Sequence, residues 1–186
     1  LLVCILTIQR GSSIIKQMYI YPFGSVTHLS YRINNLGENN SFTYGLASIQ
    51  GIIRPLINFM ESIDIMPSLV ELFSKAELYT YVEDGVLIAP TTRYNAFVTL
   101  FYYFYVDGGY IVVLIGSLLY GAICQRFYNL AKKKMDIKSL TLYLLIFMQG
   151  ILTSFIRVPF ANISFSLALV YSLVIFKKNL FIRGKI

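Results

Sequence analysis

Long apolar runs dominate the second half of the chain, whereas the first half alternates apolar and polar positions. Three runs are candidate membrane spans: Tyr110 to about Tyr128, Leu140 to Ile156, and Phe160 to Phe176. Each approaches the ~20 residues that cross a hydrocarbon core, although the last two are slightly short. Leu1 to Ile8 resembles the end of a fourth span. Because neither an initiator Met nor a signal pattern precedes it, we expect a C-terminal fragment of a longer membrane protein.

The spacing of apolar residues in the first half predicts short amphipathic helices. From Tyr44 to Met60 they recur every three or four positions, which predicts a helix that is interrupted or kinked near Pro55. Ser68 and Glu71 have the spacing of a capping box and predict a second helix that runs through Glu77. We therefore expect an all-α, polytopic membrane protein whose long outer-face loop contains short amphipathic helices.

A break is expected within the apolar stretch from Ala96 to Cys124. As one straight helix this stretch would extend about 43 Å, which exceeds the hydrocarbon thickness. Asp107-Gly108-Gly109 is the natural position for the break, because a carboxylate is costly in lipid and paired glycines weaken a helix. Ala96 to Val106 would then form a short aromatic helix that lies in or re-enters the outer interface, and Tyr110 would begin the span.

The distribution of charge predicts how the spans are oriented. The composition, with 56% hydrophobic residues and a mean hydropathy of +0.65, is that of a membrane protein. Short cytoplasmic loops collect Lys and Arg, which here are concentrated in residues 125–139 and after residue 176. We therefore expect the end of a span at 1–17, an outer loop at 18–109, and three spans with a cytoplasmic loop and tail at 110–186. The net charge of +7 is then a topology signal, and the pattern of basic residues does not predict nucleic-acid binding.

The outer loop and its boundaries carry the candidate functional residues. Arginines outnumber lysines there, and a guanidinium group can bind a phosphate through two parallel hydrogen bonds. Arg157 opposes the positive-inside bias, which favours a functional role for it. The alternative is that it pairs with a loop acid or a lipid headgroup. Asp107 could act as a catalytic carboxylate, as the N-cap of the following span, or as both. His28 is the only histidine, and without a second His or a Cys pair it does not predict a metal site.

The residue types that are present favour one kind of chemistry. The chain has no Gly-rich nucleotide loop, no Ser-His-Asp arrangement and no HExxH motif. The aromatic block Phe101 to Tyr105 fits either an interface belt or stacking on sugar rings. The remaining candidate groups are arginines and a carboxylate near the membrane, and glycosyl transfer from a lipid diphosphate requires these groups. Arginines can neutralise the leaving pyrophosphate, and a carboxylate can deprotonate the attacking hydroxyl.

The stretch around the predicted break resembles the Wzy-type O-antigen and capsule polymerases of bacteria, which join oligosaccharide repeat units. The matching positions are Asn95, Thr99 one place later than usual, the aromatic block, Asp107 and Gly109, whereas Gly108 stands where the family has Phe. Two outer-loop patterns also resemble the family: Tyr21-Pro22-Phe23-Gly24-Ser25, and Tyr44-Gly45 with Ser48 and Gly51. The Arg-Gly motifs of some members do not recur at Arg32, Arg54 or Arg93.

The resemblance implies a multi-pass glycosyltransferase of the bacterial inner membrane. It would polymerise undecaprenyl-diphosphate-linked repeat units into O-antigen, capsule or exopolysaccharide at the outer face, without a metal, cofactor or nucleotide sugar. A flippase and a chain-length regulator are the expected partners. Taken together with the residue chemistry above, it predicts a catalytic group of Arg54, Arg93, Asp107 and Arg157, and a substrate-binding group of His28, Arg32, Asn95, Thr99, Tyr102, Tyr103 and Tyr105.

The polymerase hypothesis predicts that the catalytic group converges on one groove. An O-antigen ligase-like transferase would use similar chemistry. A transporter or flippase of lipid-linked glycans would instead place charges within several spans and keep its loops short. In a scaffold protein that binds a partner through the outer loop, the arginines should be scattered over the loop.

Overall fold

The computed structural model describes residues 14–36, 42–81, 86–90, 92–94, 98–151, 154 and 157–182, with the side chains of 14–22, 88–89, 92–93, 149 and 175–182 outside the description. The described chain is mostly helical and contains one short hairpin. Its elements are α1 Ile14–Asn35, α2 Gln50–Ser62, α3 Pro67–Thr80, β1 Val86–Ala89, β2 Thr92–Tyr94, α4 Leu100–Lys134, α5 Ile137–Leu145 and α6 Ile163–Ile182. A π-helical segment, Ile146–Ile151, extends α5, and a 3-10 turn, Pro159–Ala161, precedes α6.

The predicted helical class is confirmed for most of the described chain, and the hairpin is the exception. Strands β1 and β2 pair antiparallel, with Val86 opposite Tyr94 and Leu87 opposite Arg93. The strands have four and three residues. Such short strands carry no clear alternation of polar and apolar residues, which is why the sequence does not predict them.

Helix α1 crosses residue 17, where the end of a span was expected to meet the outer loop. It continues through Pro22 and Gly24. Gly24 permits close contact with the hairpin, since a Cβ atom there would lie 2.7 Å from Cε2 of Tyr94. The helix was not predicted, because the mixture of aromatics with Pro and Gly in this segment has no clear helical period.

Helix α2 confirms the predicted amphipathic helix but starts later. Tyr44 and Gly45 have positive φ angles of 52° and 95°, so the preceding residues form a turn. Pro55 lies inside the helix without ending it, so the helix is not interrupted there, and the alternative of a kink at Pro55 stays a prediction. The apolar face, which includes Ile57 and Met60, packs against Phe73 of α3, and this packing offsets the hydrogen bond that proline cannot make.

Helix α3 confirms the second predicted helix, but its start differs from the prediction. Pro67 occupies the first turn, and Met66 before it is left-handed. No described side chain caps this end, so the capping box expected from Ser68 and Glu71 does not form. Proline is well suited to the first helical position, because its φ angle is already helical and its missing N–H would lack a helical partner there.

The break expected at Asp107-Gly108-Gly109 is confirmed. The helical dihedral angles of α4 are lost at Gly108 and Gly109, and Gly109 has φ 68° and ψ −157°, a conformation that essentially only glycine adopts. The break divides α4 into a short arm, residues 100–107, and a long arm, residues 110–134.

The short arm folds back along the beginning of the long arm. A Cβ atom on Gly116 would lie 2.9 Å from the ring of Phe104, whereas a straight helix would separate these two positions by about 18 Å. The rings of Tyr105 and Tyr110 also meet across the break, with centroids 5.1 Å apart. The start of the short arm is thereby brought back beside the middle of the long arm.

The short arm packs on two sides. Tyr102 and Val106 face the amphipathic segment, which consists of the turn at residues 43–49 with helices α2 and α3. They belong to a core cluster with Val98, Ala47 and Ala76. Leu100, Tyr103 and Phe104 face the other way and pack with Val158, Val113 and Tyr120. The aromatic block is therefore the layer between the first half of the chain and the apolar helices.

The long arm presents an apolar surface. Helix α4 is long and apolar enough to cross a membrane, and only 11% of its most apolar window is buried. Two shorter apolar helices, Ile137–Met148 and Ile163–Val174, accompany it among the described residues. The large exposed side chains on the long arm include Tyr110, Ile111, Leu114, Ile115, Leu118 and Leu119.

Candidate functional site

Asp107 lies at the fold-back and is almost completely buried. Its Oδ1 accepts hydrogen bonds from the Thr43 hydroxyl at 2.6 Å and from the backbone N–H of Ala47 at 2.9 Å. Its Oδ2 accepts from the backbone N–H of Ser48 at 2.9 Å and from the Ser48 hydroxyl. The backbone adds two further links, because the N–H groups of Thr43 and Tyr44 donate to the carbonyl oxygens of Val106 and Asp107.

This arrangement makes Asp107 a clamp for the turn that leads into α2. Each carboxylate oxygen accepts two hydrogen bonds, which fills the roughly four acceptor positions of the group. Asp107 therefore does not act as the N-cap of the long arm, which was one of its predicted roles. The carboxylate caps a turn some 60 residues earlier in the chain, and we assign it to positioning that turn.

Arg54 lies on the exposed side of α2, where its guanidinium forms an ion pair with Glu77 of α3. The neighbouring Gln50 reinforces the same contact by donating to the Thr80 hydroxyl at 2.7 Å. Helices α2 and α3 are therefore joined by polar contacts as well as by their apolar faces. An exposed ion pair contributes little to stability, so its main effect is to direct the Arg54 side chain toward α3.

His28 and Arg32 form a polar pair on α1. Arg32 Nε donates to His28 Nε2 at 3.1 Å, which places the proton of the neutral imidazole on Nδ1. His28 is fully buried and meets the ring of Tyr94 edge to face, with centroids 5.5 Å apart. Leu29 and Ile33 of the same helix pack against the core cluster that contains Tyr102, so α1 lies on the side of the short arm that faces the amphipathic segment.

Arg157 lies at the opposite side of the short arm. It is exposed. The next residue, Val158, is 1% exposed and packs with Leu100 and Tyr103. Ser154, three residues before Arg157, is also bonded to the start of the short arm, because the N–H of Leu100 donates to its carbonyl oxygen at 2.9 Å.

Thr99, immediately before the short arm, has an unusual conformation. Its φ of 70° and ψ of 160° lie in a region that is essentially reserved for glycine, and holding another residue there costs about 1–3 kcal/mol. Its side chain is 7% exposed, and within the described chain its hydroxyl has no hydrogen-bond partner. A strained backbone together with an unsatisfied buried hydroxyl is typical of a functional position rather than of packing alone.

The aromatic block does not form one open sugar-binding surface. Tyr102 is 1% exposed, and its hydroxyl donates to the Tyr79 carbonyl at 2.8 Å, whereas Tyr103 is buried on the opposite side. Stacking on a sugar requires an open ring face. In this arrangement Phe101, Tyr105 and Tyr110 are the rings that are at least partly exposed, so the expected stacking by Tyr102 and Tyr103 is not supported.

The members of the predicted catalytic group have different partners. Arg54 pairs with α3, Asp107 holds the turn before α2, and Arg157 precedes Val158, which packs on the start of the short arm. The Arg93 side chain and Asn95 lie outside the described residues. The common groove that the polymerase hypothesis requires therefore stays a prediction.

Two residues of the clamp had only weak signals in the sequence. Thr43 was not singled out, and Ser48 was noted only within a family-like pattern. A Thr and a Ser that flank a Tyr-Gly turn are the signal that could have identified them, because such hydroxyls readily bond to a nearby carboxylate. Their partner is distant in sequence, so the pairing itself could not be inferred.

The comparisons with known proteins provide no family assignment: the chain has no match to a protein-family model, a curated protein or a solved structure.

Proposed function

We propose that this chain is part of a multi-pass membrane glycosyltransferase that polymerises lipid-linked oligosaccharide repeat units at the outer face of a bacterial inner membrane. The observation that carries the proposal is the fold-back of α4. It joins an exposed apolar helix to a buried polar cluster, Asp107 with Thr43 and Ser48, at one end. A substrate that is half isoprenoid and half sugar requires a site with this division.

The apolar exposure of the long arm supports lipid contact. The core helix of a water-soluble protein would have its apolar face covered, but the large side chains of the long arm are mostly exposed among the described residues. Helices α5 and α6 would complete a three-span unit.

The start of α5 has an ordinary side-chain cap. Asp136 accepts a hydrogen bond from the Ser139 N–H at 2.9 Å, and hydrogen bonds from Ser139 hold the pKa of Asp136 below its usual value.

In the proposed reaction, the bond between the anomeric carbon of the growing glycan and its phosphate oxygen breaks. A hydroxyl of the incoming unit forms the new glycosidic bond, the electron pair of the broken bond stays on the leaving lipid diphosphate, and the hydroxyl proton passes to an oxygen of that diphosphate. The protein's main contribution would be cationic groups that neutralise the diphosphate, for which Arg93 and Arg157 are the candidates. Asp107 would hold the loop in place, because its acceptor positions are already filled.

The proposal is tested by the glycan-length ladder of a strain that lacks the gene and is complemented with variants. We expect Arg93→Ala and Arg157→Ala to abolish polymer while single repeat units still reach the cell surface. Lys75→Ala is the matched control, because Lys75 pairs with Glu71 within one helix. Single units at the surface would exclude defects in a flippase or ligase. A normal ladder in both arginine variants would reject the proposal.

A further inference from the structure

The start of the short arm combines three features that favour an anion. The first is Thr99, whose buried hydroxyl is unsatisfied within the described chain and whose backbone is held in a strained conformation. An ordinary N-cap threonine would use its hydroxyl to accept a hydrogen bond from the first turn. Thr99 forms no such bond among the described residues, so the hydrogen-bonding capacity of its buried hydroxyl is unused there.

The second feature is the helix terminus itself. The first N–H groups of a helix lack intrahelical acceptors, and with the helix dipole they attract negative charge. At the start of the short arm, the N–H of Leu100 is satisfied by Ser154. The next N–H groups of this turn, from Phe101 onward, are oriented toward the same end as Thr99.

The third feature is a cation beside this terminus. Arg157 is exposed. It lies three residues after Ser154, which accepts the N–H of Leu100, and directly before Val158, which packs on Leu100 and Tyr103. Neither of the ion pairs in the described part of the chain includes Arg157. Its charge therefore adds to the positive end of the short arm.

We propose that the Thr99 hydroxyl, the N-terminus of the short arm and Arg157 form a binding site for a phosphate oxyanion. The inference rests on the proposed function in one respect, which is that the natural ligand would be the diphosphate of the lipid-linked glycan. Thr99 would donate its hydroxyl proton to a phosphate oxygen, and Arg157 would neutralise the charge that grows as the glycan departs. A phospholipid headgroup offers the same phosphate chemistry.

The test measures the binding of inorganic diphosphate to the full-length protein in phosphatidylcholine nanodiscs by calorimetry. We expect Thr99→Val, which keeps the shape and removes the hydroxyl, to weaken binding about tenfold, and Arg157→Gln to weaken it by about tenfold or more. Thr99→Ser keeps the hydroxyl and should bind like the unchanged protein. Arg126→Gln, at the other end of the long arm, is the control for net charge.

Thermal unfolding of each variant separates a loss of binding from a loss of fold. If Thr99→Val does not fold, the exposed Arg157→Gln supplies the decisive measurement. Diphosphate binding that is absent, or equally strong in Arg157→Gln and Arg126→Gln, would overturn the site. Nanodiscs that contain phosphatidylglycerol distinguish the two ligand sources, because competition by this lipid would retain the site and assign it to headgroups.

The two proposals can fail separately. Diphosphate binding that depends on Thr99 and Arg157, together with normal polymer in a strain without the gene, would retain the site and reject the polymerase. Loss of polymer in Arg93→Ala, together with diphosphate binding that is insensitive to both residues, would retain the polymerase and overturn the site.

Discussion

The two arms of α4 are both rich in apolar residues but have opposite surroundings. Tyr102 in the short arm is 1% exposed, whereas Ile111 in the long arm is 72% exposed. The short arm is covered on two sides, by the amphipathic segment and by the apolar helices. Hydropathy alone therefore does not distinguish a helix whose side chains are buried from one whose apolar side chains are exposed. The break at Gly108 and Gly109 separates the two environments.

The largest expected effect is at the boundary between the arms. Asp107→Ala would leave the buried donors of Thr43, Ala47 and Ser48 without their acceptor, and we expect a loss of about 3–5 kcal/mol in the free energy of unfolding. Denaturant unfolding in detergent micelles measures this loss. Glu61→Ala, at an exposed acid of α2, is the control and should have little effect. A small effect of Asp107→Ala would show that the clamp does not stabilise the fold.

The next prediction tests what surrounds the long arm. Leu118 is 67% exposed, and if lipid covers it, Leu118→Lys should cost about 3 kcal/mol of insertion free energy. Leu78→Lys is the matched control, because Leu78 is 70% exposed on α3, outside the apolar helices. Membrane insertion assays in vivo measure the difference. Equal tolerance at both positions would contradict lipid contact along the long arm.

A smaller effect is expected from two glycines that are only twelve positions apart. Gly109→Ala places a side chain where φ is 68° and should destabilise the fold by about 1–3 kcal/mol. Gly121→Ala meets no atom within 4 Å and should stabilise the helix by up to about 1 kcal/mol. Thermal unfolding of the two variants gives the comparison. Similar shifts in both would argue against the fold-back.

The smallest expected effect concerns the packing of the short arm. Tyr102→Phe removes the hydrogen bond to the Tyr79 carbonyl and should cost about 1 kcal/mol. Tyr171→Phe, at an exposed ring of α6, is the control and should be close to neutral. Denaturant unfolding measures both. A neutral result for Tyr102→Phe would mean that its ring alone holds the short arm against α3.

Local patterns in the sequence determined the break in α4, the amphipathic face of α2 and the apolar runs. These features depend on glycine's conformational freedom and on the spacing of apolar residues, which act within a few residues. Arg157 and Thr99 were also identified from the sequence, Arg157 because it opposes the charge bias and Thr99 through the family resemblance. The sequence did not predict that these two residues both lie near the start of the short arm.

Only the tertiary structure determined the direction of the short arm and the partners of its polar residues. Asp107 and Thr43 are 64 positions apart, and the contact of His28 with Tyr94 joins elements that are similarly distant in sequence. Both sides of the aromatic block are apolar, so the sequence did not show which rings would be buried. Long-range packing decided this, because a helix that is apolar all round buries whichever faces its neighbours cover.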